Sequence, residues 1–264
     1  MTRTLIVTND FPPRPGGIQA FVHGLARRLP PASLVVYAPR WPGHAEFDAD
    51  QPFRVVRHPS TLMLPGRAVG RRAAELVRTE KCEAVVFGAA APLGLLAPRL
   101  RAAGARRVVM LTHGHEAGWA GVPLARRVIG RIGGYADTLT YLGEYTRGRL
   151  SRVIDPAKLV RLAPGVDPGV FRPGAGGREI RAALGLGDRP VVVCVSRLVP
   201  RKGQDTLIRA WPQVLRAVPE AFLLLVGGGP YRGRLDRMIA ARGVSGSVHI
   251  TGPVPWSRLP AYYD

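Results

Sequence analysis

The chain is 264 residues long, with 38 Lys and Arg against 18 Asp and Glu and a formal net charge of +20. That length buries a substantial core in one large domain or two smaller ones. The longest uncharged run, residues 84–98, is 15 residues and is broken by Gly88, Pro92 and Gly94, which excludes a bilayer-spanning helix there. Only Lys81, Lys158 and Lys202 are lysines, so the charge is carried by arginine and is spread through an Ala-, Gly- and Pro-rich chain. Most of it is compositional bias, with attraction for anions as the remainder. The opening "MTRTLIVTND" has neither the long apolar core nor the cleavage site of a secretory signal, so a cytoplasmic protein is expected. Cys82 and Cys194 lie far apart beside apolar runs and are expected to be reduced, buried thiols.

Apolar β-branched runs then alternate with helical segments: "TLIVT" (4–8), "SLVVYA" (33–38), "FRVVRH" (53–58), "EAVVFGA" (83–89), "RVVMLTHG" (107–114) and "DTLTYLG" (137–143). Strands alternating with helices predict a doubly wound α/β sheet. The Pro- and Gly-rich stretch "LAPGVDPGVFRPGAGG" (162–177) breaks the rhythm as a connection between domains does. The pattern resumes with "PVVVCVS" (190–196), a helix over 206–218, "AFLLLVGGG" (221–229), a helix over 232–242, and "SVHITGPV" (247–254). The expected organisation is an N-terminal Rossmann-like domain over 1–168, a linker over 169–188, and roughly half of a second such domain over 189–264.

Three motifs sit at the carboxyl ends of these strands. In "FPPRPGGIQAF" (11–21), Gly16 and Gly17 precede a helix, where free N–H groups attract phosphate; the loop is a floor under an anionic group or an ordinary strand-to-helix turn. In "SRLVPRKGQD" (196–205), Arg197 and Lys202 flank a short Pro- and Gly-containing loop and project fixed positive charge toward a diphosphate, in place of a metal; the alternative is surface charge without a role. In "THGHEAGW" (112–119), the His-x-His-Glu order lacks the spacing of a helical zinc motif, and His113 is the candidate for a polar substrate site, against a structural histidine. "GGGPY" (227–231) lacks a dinucleotide fingerprint, yet Gly228 lets backbone approach a ligand, and Gly252 to Val254 present backbone groups to a base or form a simple turn.

Two basic segments have amphipathic spacing. Arg67, Arg71 and Arg78 cluster on one side of a helix, and between 122 and 132 Leu124, Val128 and Ile132 share one face while Arg127 and Arg131 share another. Such helices suit an anionic membrane surface or pack on a core.

Taken together, "TNDFPPRPGGIQ", "VVFGAAAPL", "THGHEAGW", "LAPGVDPGVFRP" and "SRLVPRKGQD" resemble the retaining glycosyltransferases of family 4, and among them the PimB-type phosphatidylinositol mannoside mannosyltransferases of actinobacteria. The resemblance covers essentially the whole chain. It implies the GT-B fold, two Rossmann-like doubly wound domains with the second incomplete here. It also implies GDP-mannose as donor, with mannose passed to an inositol hydroxyl of phosphatidylinositol monomannoside and its anomeric configuration retained. By carry-over, Arg197 and Lys202 bind the donor diphosphate and stabilise the leaving group, Gly16 and Gly17 meet phosphate or the transferred sugar, His113 contacts sugar, and Asp10 and Gln19 lie on the acceptor side.

The resemblance further implies no divalent metal and a peripheral place on the inner face of the plasma membrane, while the diffuse charge and the lack of a recognised binding module argue against a nucleic-acid partner. The family's paired-glutamate motif falls beyond Asp264, so these residues make an incomplete donor site, weak transfer by this stretch alone is expected, and no carboxylate is nominated as a nucleophile. The competing readings are a family 4 enzyme with another nucleotide-sugar donor or a soluble acceptor, and a noncatalytic nucleotide or lipid-headgroup binding module.

Overall fold

The computed structural model describes residues 2–114, 116, 118 and 122–264. The chain divides into two compact units, Met1–Gly165 and Val166–Asp264.

The first unit is built on a seven-stranded, wholly parallel sheet with strand order β3-β2-β1-β4-β5-β6-β7. The strands are β1 (Thr4–Val7), β2 (Leu34–Pro39), β3 (Arg54–His58), β4 (Ala84–Phe87), β5 (Arg107–Met110), β6 (Thr138–Tyr141) and β7 (Leu159–Arg161). Six were expected from the apolar runs. The seventh, β7, has only three residues, too few to show a period of two.

Alternation along β1 sends Leu5 and Val7 to one face and Ile6 to the other. The first face is covered by α3 (Arg67–Thr79), α4 (Ala97–Ala102), α5 (Pro123–Tyr135) and α6 (Glu144–Leu150), which contribute Ala73, Leu76, Leu100, Ile132 and Leu150 to the core. The opposite face is covered by α1 (Gly17–Ala26) through Val22 and Ala26, with Phe47 of the short α2 (His44–Ala49) packed alongside. Helices on both faces explain why the strands read as nearly continuous apolar runs. The direction of winding reverses between β1 and β4. Strand ends at such a point leave a crevice where ligands bind in doubly wound sheets.

The second unit holds three parallel strands in the order β10-β9-β8: β8 (Val191–Val195), β9 (Phe222–Val226) and β10 (Val248–Gly252). On one face lie α8 (Gln204–Ala217) and α9 (Arg232–Ala241), anchored by the buried Trp211, whose indole Nε1 donates to Ser247 Oγ at 3.1 Å. On the other lie α7 (Gly177–Ala183) and α10 (Leu259–Tyr263), with Ile180 and Ala261 packed on Phe222 and Leu224.

Helix α7 falls inside the segment expected to be a linker over 169–188. Its single buried apolar anchor, Ile180, gives too weak a periodic signal to be seen in sequence, yet it places the helix in the second unit. The carboxylate of Asp264 reinforces this by accepting the N–H groups of Gly174 (2.8 Å), Gly176 (3.1 Å) and Gly177 (2.8 Å).

Candidate functional site

In the first unit the carboxyl ends of β1, β4 and β5 and the start of α1 gather five polar positions. The Thr8 hydroxyl accepts the N–H of Asp10 at 2.9 Å, which turns the chain out of β1. Asp10 Oδ1 then accepts the side-chain amide of the buried Gln19 at 2.8 Å, so the two acceptor-side candidates hold each other. Gly16 has φ 157° and ψ 161°, and a Cβ there would stand 2.1 Å from Gln19 Oε1; the glycine is explained by that protein contact. At Gly17 a Cβ would meet nothing within 4 Å, so this position faces open space.

His113 follows β5, half-buried. Its main-chain N–H donates to Glu116 Oε2 at 3.0 Å, and its ring nitrogen Nε2 lies 2.6 Å from the Gly88 carbonyl. A carbonyl only accepts, so Nε2 carries the proton, and in the neutral ring Nδ1 is left as an acceptor. Phe21 of α1 meets the ring edge-on at a centroid distance of 5.6 Å and holds its plane. Gly88 completes the cluster, because a Cβ there would be 2.4 Å from Thr8 Oγ1. The structure thus brings Asp10, Gln19, Gly16 and His113 together. Thr8, Phe21 and Gly88 were not singled out from the sequence as site residues, although Gly88 lies in the quoted "VVFGAAAPL". His115 and Trp119 lie outside the described residues.

In the second unit the tips of all three strands interlock. The N–H of Ser196 donates to Val226 O and that of Leu198 to Gly228 O, each at 3.0 Å, while the N–H of Gly227 donates to Gly252 O at 3.0 Å. Gly227, at φ 140°, has no room for a side chain, since a Cβ would lie 2.1 Å from Ser196 O. Gly228, Gly252 and Arg197 are therefore neighbours through main-chain bonds. Val254 is placed differently: its side chain packs in the apolar cluster with Ile180, Phe222 and Ala261, leaving only its backbone for a ligand.

The loop after β8 runs through a 3-10 turn, Pro200–Lys202, and enters α8 at Gly203 with φ 74°. Arg197 and Lys202 are both exposed, and among the described residues neither side chain makes an ion pair or hydrogen bond. Two unneutralised cations beside backbone N–H groups suit a diphosphate.

The remaining expectations divide. Cys82 is buried, and burial pushes its thiol up to about 11, whereas Cys194 is only half-buried; both are free. Arg67, Arg71 and Arg78 are exposed on α3, as are Arg127 and Arg131 on α5. Leu124 does not join the buried face of α5, which is formed by Ile129, Ile132 and Gly133; it is 72% exposed. No described helix is long and apolar enough to cross a membrane.

A parallel α/β sheet with helices on both faces in the first unit, and a similar three-stranded layer in the second, is the architecture of the GT-B glycosyltransferases. The fold is shared with Anabaena Alr3699/HepE solved in complex with UDP (TM-score 0.80, 17% identity, 98% of this chain and 71% of that one). It is shared as well with the catalytic domain of Arabidopsis thaliana starch synthase IV (TM-score 0.70, 14% identity, 99% and 76%). The family profile described as Glycosyltransferase Family 4 matches residues 15–170, and that of Glycosyl transferases group 1 matches 177–264. The chain belongs to glycosyltransferase family 4.

Within that family it is 51% identical to the GDP-mannose-dependent alpha-(1-6)-phosphatidylinositol monomannoside mannosyltransferase of Mycolicibacterium smegmatis, over 98% of this chain and 69% of that protein. It is 42% identical to the corresponding monoacylated-acceptor enzyme of Corynebacterium glutamicum, over 97% and 68%.

Proposed function

We propose that the protein is a mannosyltransferase that moves mannose from GDP-mannose to phosphatidylinositol monomannoside with retention of anomeric configuration. The observation that carries this reading is the 51% identity to the Mycolicibacterium smegmatis enzyme over 98% of the chain. The chemistry of the two clusters supports it.

Arg197 and Lys202 take the donor diphosphate, and their fixed charge stabilises the negative charge that develops as the bond from the anomeric carbon to the phosphate oxygen breaks. The backbone at Gly228, Gly252 and Val254 approaches the nucleotide. In the first unit, His113 Nδ1 and the Asp10–Gln19 pair offer acceptors and donors for sugar and inositol hydroxyls. The acceptor oxygen bonds to the anomeric carbon, and its proton passes to the departing phosphate on the same face. Charge stabilisation by arginine and lysine takes the role that a divalent cation has elsewhere, so no metal is required. The acceptor is a lipid, and the exposed arginines of α3 and α5 support a peripheral position on the anionic inner face of the plasma membrane.

A donor panel tests this. GDP-mannose is expected to be consumed in the presence of phosphatidylinositol monomannoside, and UDP-glucose and UDP-N-acetylglucosamine are not. Preference for a UDP-sugar would overturn the donor assignment.

A further inference from the structure

We infer that Gln204 is a positioning residue for Arg197: its side-chain amide pins the Arg197 carbonyl and so sets the direction from which the guanidinium meets an anion. The inference rests on the reading of Arg197 and Lys202 as diphosphate ligands.

Gln204 opens α8 and is completely buried. Its Nε2 donates to Ser196 Oγ at 2.7 Å and to the Arg197 carbonyl at 3.0 Å. The orientation of the amide is fixed by chemistry, since the Arg197 carbonyl accepts only and the nitrogen must face it. The same carbonyl accepts the N–H of Val199 at 3.0 Å, but that bond lies within the loop and moves with it. The bond from Gln204 comes from a helix whose Ile208 and Trp211 are rooted in the core.

Arg197 is therefore held from two elements. The flanking N–H groups of Ser196 and Leu198 bind the tip of β9, and the carbonyl binds α8. The exposed guanidinium has no partner of its own among the described residues, so its aim depends on the main chain beneath it. Gln204 is also a costly choice for packing alone. Among the described residues its buried Oε1 has no hydrogen-bond partner, whereas Leu or Met fills similar space with no polar group to desolvate. What Gln supplies and those residues lack is the donor on Arg197.

The test is a double-mutant cycle read by calorimetric titration of GDP, with thermal unfolding as the control for folding. Gln204→Leu is expected to weaken GDP binding about tenfold. In an Arg197→Ala background the same substitution is expected to change it less than about twofold, because the group it positions is gone. Equal losses in both backgrounds would show a merely structural role and overturn the inference, as would unchanged affinity in Gln204→Leu. Should Gln204→Leu fail to fold, Gln204→Met removes the same donors from a flexible side chain and is subject to the same two outcomes. A parent protein that binds neither GDP nor GDP-mannose would overturn the donor-site reading itself; binding by the parent with additive losses would overturn this inference alone.

Discussion

The Nε2–H of His113 is donated to the carbonyl of Gly88 across 2.6 Å, and Gly88 itself is pressed against Thr8, where a Cβ would come within 2.4 Å of Oγ1. The tips of three strands are thereby locked to one imidazole. Gly88→Ala is expected to push β4 away from β1, costing about 1–3 kcal/mol of stability and lowering transfer by displacing His113. Thermal unfolding and initial rates measured together check this; a variant with normal stability and normal rate would contradict the close approach.

Replacement of His113 by Ala removes the acceptor proposed to contact sugar while losing a single partly buried hydrogen bond. Stability is expected to fall by about 1 kcal/mol, and transfer by about 100-fold. Rates within twofold of the parent would return His113 to a structural role.

Arg197→Ala and Lys202→Ala touch exposed side chains, so the melting temperature is expected to stay nearly unchanged. Turnover is expected to fall by about 10²–10³ for each, the scale seen when a preorganised donor to developing charge is removed. Steady-state kinetics on each purified variant check the split between intact fold and lost rate.

Much of this placement was legible in the sequence because buried parallel strands announce themselves. "TLIVT", "EAVVFGA" and "AFLLLVGGG" contain β1, β4 and β9, and the motifs behind them fall at the strand tips. Short elements were not legible. β7 has three residues, α2 has six and buries none of them fully, and α7 has a single large buried anchor in Ile180. Two roles are set by tertiary packing alone. Gly16 yields to Gln19, and Val254 turns its side chain into a core that includes Ile180 and Phe222, far away in the chain. The part of Gln204 was hidden for a different reason: a lone glutamine after "RKG" carries no pattern, and only its burial beside the Arg197 carbonyl gives it meaning.

His23 of α1 provides a pH signature. Burial holds its pKa below the usual 6.5, partly opposed by the 2.7 Å hydrogen bond to Gln51 Oε1 and aided by Arg27, and Phe11 and Phe47 enclose the ring. Because the folded state binds the proton less readily than the unfolded one, this contribution is complete above pH 6.5 and is lost as pH falls from there through the folded value. Burial lowers His58 in the same direction. Urea midpoints taken from about pH 7.5 to about pH 5 are expected to decline, and His23→Leu is expected to flatten the decline; an unchanged slope in that variant would assign it elsewhere.

Membrane docking is expected to depend on α5. Arg126, Arg127 and Arg131 are exposed there together with Val122 and Leu124. Changing all three arginines to Ser is expected to weaken binding to phosphatidylinositol-containing vesicles about 100-fold at low salt, at about 1 kcal/mol for each charge near the surface. Vesicle co-sedimentation over a salt series measures it, and binding equal to the parent's would move the docking face away from α5.

The most direct measurement is the mass of the lipid product after incubation with GDP-mannose and phosphatidylinositol monomannoside. The rate is secondary to the identity of donor and product. The account predicts a lipid heavier by one hexose, formed only with GDP-mannose and lost in Arg197→Ala. A product formed equally from a UDP-sugar, or a hexose transferred to a soluble acceptor while the lipid stays unchanged, would contradict it.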